Sequence, residues 1–187
     1  PTDVLGAEHV VLAYRNGGPV PGSQFGIVAS VDDTDVTITP SVTTPPHDAG
    51  VPYTITMNAG QTYQLRNTSS TGDLSGTVVT SDKPVAVFGG HLCANVPVDR
   101  FFCDHLVEQL PPTDTWGESF VTMPLATRVG GDTFRFLAST DDTTVTVNGG
   151  PPVALDRGQV HEQIVVGAAV IEASDPILVA QYSNSSN

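Results

Sequence analysis

The sequence predicts an all-β protein made of two copies of one unit, folded as β-sandwich-like lobes closed against each other with pseudo-twofold symmetry. Three observations carry that expectation. The first is internal repetition. PTDVLGAEHV (1–10) returns as PTDTWGESFV (112–121), and ASVDDTDVTI (29–38) returns as ASTDDTTVTV (138–147). AGQTY (59–63) then matches RGQVH (157–161), and SDKPVAVFG (81–89) matches SDPILVAQ (174–181), all in one order. A repeat of this kind outranks any segment-by-segment reading. The second is a succession of short Val-, Ile- and Thr-rich runs broken by Gly, Pro and Asp, the pattern of a sandwich or barrel. The third is that almost no segment has a helical period.

Taken in order, the first copy supplies HVVLAY (9–14), FGIVAS (25–30), DVTITP (35–40), YTITMN (53–58), QTYQLR (61–66), GTVVTS (76–81) and PVAVFG (84–89) as strands. Alternation of Val or Ile with Thr puts apolar side chains on a buried face and threonines on a wet one. SVDDTDV and STDDTTV fall where hairpin turns are needed, and Asp side chains pre-form such turns by accepting backbone amides. Asp32, Asp33 and Asp35, or Asp141 and Asp142, are also candidate calcium ligands, although they lack the twelve-residue loop ending in Glu that calcium hands use. Pro84 and Pro176 fit the first position of the last strand of each copy, where no ladder donor is required.

The second copy supplies SFVTMPLA (119–126), TFRFLAS (133–139), TTVTVNG (143–149), HEQIVVG (161–167), AAVIEAS (168–174) and ILVAQYS (177–183). Matched residues lie 111 apart at Pro1/Pro112, 109 at Ala29/Ala138, 98 at Gly60/Gly158 and 92 at Pro84/Pro176, so the second copy is trimmed in its loops, near 41–52 and 67–73. Trp116 and Phe120 align with Leu5 and His9 and are expected in the core or between the lobes. The division is copy one at 1–88, an insert at 89–111 and copy two at 112–187. Within the insert only CDHLVEQL (103–110) has a helical reading, with Leu106 and Leu110 on one side and Pro111-Pro112 as the stop. A β-propeller is the alternative architecture, but each copy would then hold two blades of an incomplete ring.

Twenty acidic side chains oppose seven basic ones, for a net charge of −13. That field opposes nucleic acid and anionic membrane as partners, and no apolar run is long enough for a spanning helix. The chain opens at Pro1 without a methionine, as expected of a processed or excised fragment. Asn67 and Asn184 head N-x-S/T triplets, a pattern common in any Ser/Thr-rich chain.

The insert, GGHLCANVPVDRFFCDHLVEQLPP over 89–112, has no counterpart after Tyr182 and is the expected seat of function. Cys93 and Cys103 flank nine residues, a spacing that suits a disulfide closing a short loop. Such a bridge is worth about 2–3 kcal/mol and belongs to an oxidising compartment; zinc ligation and free thiols are the alternatives. His91, Asp104, His105 and Glu108 are candidate zinc ligands, without an HExxH or CxxC pattern to support them. Cys103 with His105 lacks the third, orienting member and the oxyanion donors that nucleophilic catalysis needs.

SDKPVAVFGGHLCANVP (81–97) followed by CDHLVEQLPPTDTWGESFV (103–121) resembles the N-terminal domain family of the IgG Fc-binding protein. FGIVASVDDTDVTITP, MNAGQTYQL, LSGTVVTSDKPVAVFGG, FRFLASTDDTTVTV and SDPILVAQYS extend the resemblance over nearly the whole chain. It implies a module of secreted or surface proteins, a Cys93–Cys103 pair, and architectural roles for Asp104, His105, Trp116 and Gly117. It carries no catalytic residues.

The leading expectation is a non-catalytic extracellular binding or adhesion module, secreted or at a cell surface. It presents the loop residues His91, Asn95, Arg100, Asp104, His105 and Glu108, and needs no cofactor, calcium being the alternative. Its partners would be a protein or glycan of a cell surface or matrix, and neighbouring domains. A second expectation is a zinc-dependent hydrolase using His91, Asp104, His105 and Glu108. A third is a structural spacer repeat of a larger assembly, with exposed apolar edges near Pro1 and Tyr182.

Overall fold

The computed structural model describes residues 4–186. Its strands are β1 (Gly6–Val10), β2 (Ser23–Ala29), β3 (Thr34–Thr39), β4 (Tyr53–Met57), β5 (Thr62–Asn67), β6 (Val78–Ala94) and β7 (Asp104–Leu110). After a 3-10 turn at Thr113–Thr115 come β8 (Gly117–Thr122), β9 (Asp132–Ala138), β10 (Thr143–Val147), β11 (Val153–Leu155), β12 (Val160–Val165) and β13 (Ala169–Tyr182). They build two curled antiparallel sheets of one design. The first runs β4-β3-β6-β2-β5 with β1 and β7 also on β6; the second runs β11-β10-β13-β9-β12 with β8 on β13. Each repeat is thus a single curled sheet and not a pair of propeller blades. Six strands of each sheet match one for one, and among the described residues only β7 has no counterpart.

The curl comes from the central strand changing neighbours halfway. In β6, residues 78–81 pair with β3, whereas 85–91 pair with β2. On its other edge β1 gives way to β7. In β13 the partner changes from β10 to β9 between Ala173 and Ile177. Pro84 and Pro176 sit at these corners, inside continuous strands and not at their starts. A missing N–H is tolerated wherever no ladder donor is needed, and a change of partner provides that condition as well as a strand end does.

Two further differences from the sequence reading matter. HVVLAY is laddered only to Val10. Val11–Tyr14 instead crosses toward residues 75–77, with Val11 donating to the Thr77 carbonyl at 2.8 Å and Ala13 to Ser75 Oγ at 3.0 Å. Residues 103–110 are not helical: 104–110 form β7 against β6, with His91 opposite Leu106 and Val87 opposite Leu110. Leu106 and Leu110 share a face at period four in a strand as they do in a helix, so spacing alone did not separate the two. The free edge of β6 did, because its backbone groups need partners.

The first core gathers Val10–Ala13, Phe25, Ile27, Val36, Ile38, Val79, Val85 and Val87, and the second Phe134, Phe136, Val145, Ile171 and Ile177. The lobes meet across β9, which is buried on both faces. Phe134 and Phe136 enter the second core, while Leu137 enters the first with Val160, Leu178 and Ala180 against it. Trp116 also joins the first core from the second copy.

Arg135 stands between the lobes, buried. It donates to the Ala13 carbonyl (2.6 Å), Ser75 Oγ (3.1 Å) and Asp73 Oδ2 (2.7 Å), and its guanidinium lies 5.0 Å from the Tyr14 ring centre. Its Nε faces Glu162 Oε2 at 3.3 Å, an ion pair without hydrogen-bond geometry. Burial raises the Asp73 pKa, but the Arg135 charge and the Ser75 donors outweigh it and hold the carboxyl below its usual range. Beside this cluster Gly76 meets Gly158. A Cβ on Gly76 would stand 2.4 Å from the Gly158 carbonyl oxygen, and its φ of +85° suits glycine.

Candidate functional site

The insert is two strands of the first sheet with a short cross-linked tip, and not one loop. β6 and β7 stay in register to His91/Leu106, shift, and end at Ala94/Asp104. The Cys93–Cys103 disulfide closes the tip, with Cα atoms 5.1 Å apart. Asn95 Nδ2 donates to the carbonyls of Arg100 (2.8 Å) and Phe101 (3.0 Å), which folds residues 95–101 back on themselves. This buried amide turns Phe101 and Phe102 outward. Their rings sit edge to face 5.0 Å apart, and both are exposed along with Leu92 and Val107. Two adjacent exposed phenylalanines are uncommon on a solvated surface without a partner.

The six residues expected to form one loop surface divide. His91 points into the lobe and is buried. Its Nε2 lies 2.8 Å from Asn16 Oδ1, and its Nδ1 accepts the Cys93 amide at 3.0 Å, which fixes the Nε2-protonated neutral ring. Burial lowers its pKa despite the Asp73 charge. Asn95 is buried and Arg100 half-buried, both shaping the tip. Asp104, His105 and Glu108 are exposed, with His105 Nδ1 3.1 Å from Asp104 Oδ1. Among the described residues no three His, Cys, Asp or Glu side chains converge on a metal position. The zinc set is therefore split between the interior and the surface.

The Asp turns are built as backbone acceptors. Asp32 Oδ1 takes the Ala59 amide at 2.9 Å, and Asp141 Oδ1 takes the Arg157 amide at 3.0 Å, the same contact in both lobes. Asp33 and Asp142 have positive φ. Lys83 donates to the Asp32 and Asp33 carbonyls at 2.7 and 2.5 Å, so an ammonium completes the first turn. Of the N-x-S/T asparagines, Asn67 is buried and donates to Thr44 Oγ1 at 2.8 Å, which closes it to modification. Asn184 Nδ2 donates to the Gly131 carbonyl at 3.0 Å.

The feature that sequence reasoning missed is a cleft of about 850 Å³ between residues 102–111 and 178–186. It lies beside β7, which has no counterpart among the described residues of the second lobe. Among the described residues β7 is paired on one edge only, and the 178–182 half of β13 is paired with β9 alone. Two strands with unpaired edges therefore face one space. Asp104, Glu108 and Gln109 line one wall and Gln181, Tyr182 and Ser183 the other, with Phe102 at the mouth. The end is tied shut by the tail: Ser185 N–H donates to the Val96 carbonyl at 2.6 Å and Phe102 N–H to the Ser186 carbonyl at 3.2 Å. Arg128 holds Ser183 and Asn184 from below. Tyr182, expected at an exposed apolar edge, is half-buried against Tyr14 at 5.5 Å, and Pro1 lies outside the described residues.

No helix among the described residues is long and apolar enough to cross a membrane. A family model described as IgGFc binding protein matches residues 1–187. The human IgGFc-binding protein is 34% identical over 154 residues, which is 80% of this chain and 3% of that protein. The chain thus spans a small fraction of the relative it matches. No solved structure matches it.

Proposed function

The chain belongs to the IgGFc-binding protein family, and on that premise we propose that it is a non-catalytic extracellular module that captures an extended segment of a protein partner. The observation that carries this reading is the cleft walled by two unpaired strand edges. A peptide laid there gains main-chain hydrogen bonds from strand addition, and the flanking side chains supply selectivity. Phe102 at the mouth, with Phe101 packed edge to face on it, is the apolar anchor, the kind of residue on which binding energy concentrates. Asp104 and Glu108 along the wall favour basic side chains in the ligand. The disulfide suits an oxidising compartment.

The test is a biolayer binding panel of secreted proteins, matrix proteins, immobilised glycans and IgG Fc, read on the wild type and on a Phe101→Ser/Phe102→Ser variant. The expected result is a protein ligand whose affinity falls at least tenfold in the variant, with competition by an extended peptide from that ligand. A ligand bound equally by both proteins, or one that is purely glycan, overturns the reading.

A further inference from the structure

We propose that this chain associates head to tail with a second copy of itself, through a contact that repeats the one between its own lobes. This contact does not use the hairpin tip, and it meets the cleft only at Gly89, Gly90, Leu106 and Val107, which line both.

The second lobe docks on the first through one face of β12, β9 and β13. Directly opposed residues form two rows on that face: Val160, Leu137 and Leu178, then Glu162, Arg135 and Ala180. The equivalent rows in the first sheet are Thr62, Val28 and Ala86, then Gln64, Gly26 and Phe88. The sequence match that pairs Ala29 with Ala138 and Pro84 with Pro176 puts these residues in register. Among the described residues no other strand packs on that face: Thr62 and Gln64 are exposed, and Val28, Ala86 and Phe88 are half-buried. It holds an open groove of about 300 Å³ along Gly26, Val28 and Phe88, extended by exposed Val107. Gly26 stands where Arg135 stands in the second lobe, so the face offers a hollow in place of a guanidinium.

The receiving surface also has a twin. In the first lobe the second lobe lands on Val11–Tyr14, all buried. The corresponding residues after β8, 122–125, include Met123 and Leu125, both exposed, and Val129, four residues further on, is 98% exposed. Val121 and Val170, directly opposed, add to the same end of the lobe, as does Val166. In the first lobe residues 68–77 also cover this stretch, whereas the second has only 166–168 there. The molecule therefore carries an open apolar landing site at one end and an open docking face at the other. Both have the shape relation already used within the chain, and a contact between unlike faces propagates instead of closing.

Sedimentation velocity at about 0.5 M NaCl, which screens the net charge of −13, tests this. Wild type is expected to grow beyond a dimer as concentration rises. Met123→Asp/Val129→Asp and Val28→Glu/Phe88→Glu should each be monomeric, with far-UV spectrum and melting temperature retained. Mixed, they should give a one-to-one dimer and nothing larger, since each keeps one intact face. A wild type that stays monomeric to millimolar concentration overturns the proposal whatever the variants do. So does self-association that survives either pair of substitutions, since that would be a contact between like faces.

Discussion

The two lobes share a strand order but differ in what has been added to it. The first carries β7, the 41–52 loop and residues 68–77; the second closes the places of the last two with short turns at 148–152 and 166–168. The seam between them also differs from the lobes' own cores. Inside each lobe Val, Ile and Phe pack alone, while the seam is built around Arg135 with two carboxylates, a carbonyl and a hydroxyl. Duplication supplies a scaffold twice. The cleft proposed to bind a partner lies at a place where the copies are unequal.

The largest effect should come from the seam. Arg135→Ala strands Asp73 and Glu162 beside an empty buried site, and breaking a buried pair from one side costs about 3–5 kcal/mol. The midpoint of urea unfolding should fall accordingly, and Arg135→Met with Asp73→Asn should recover most of it. A Gly26→Ala change at the matching position of the first lobe should be nearly silent, since a Cβ there meets only the Tyr63 carbonyl at an ordinary 3.7 Å.

His9 offers a second contrast, because the matching residue of the other copy is Phe120. His9 is fully buried, and neither ring nitrogen has a partner among the described residues. Burial pushes its pKa down to about 4 from 6.5, against the pull of Asp114 and Glu8. Between those values the unfolded chain binds a proton that the folded chain refuses. The stability His9 contributes is therefore present above pH 6.5 and lost as pH falls to 4. The full loss is about 3 kcal/mol, and buried His91 acts in the same direction. His9→Phe should flatten the pH dependence of the melting temperature in that window while leaving the His91 share.

A smaller effect is expected at the hairpin tip. Cys93→Ser/Cys103→Ser should lower stability by about 2–3 kcal/mol and make 95–102 sensitive to protease. The far-UV spectrum should persist, because the β6–β7 ladder below the bridge holds its own register. Smallest of all is the rim of the seam, where Arg157 meets Glu8 at 3.0 Å with both side chains more than a third exposed. Arg157→Ala should cost less than about 1 kcal/mol. Measured beside Arg135→Ala, it separates buried from solvated charge at one interface.

What was legible in the sequence follows from what is local. The Asp turns, the alternation and the order of the repeats need only neighbouring residues, and the strands appear where those patterns place them. SDKP was read as a break because a proline before an apolar run resembles a strand start; whether the strand continues through it depends on β2 and β3 lying on either side of the corner. Arg135 carries no such local sign, since nothing in FRF discloses that another lobe covers it. The cleft was invisible for a related reason: it is made by β7, which has no counterpart among the described residues of the second lobe, and only the assembled sheets show the gap beside it.

The neighbour change within β6 and β13 has a consequence for how the chain is made. In each half the strand that joins all the others is emitted after nearly every strand it must join. No nascent chain shorter than about residue 94 joins the β3–β4 pair to the β2–β5 pair, and the β9–β12 pair waits likewise for residues 177–182. Such long-range closure is slow relative to local pairing. Until it happens, β2 can pair only with β5 and β3 only with β4, and each pair keeps an open edge toward the missing centre, the kind of edge that invites association with other chains.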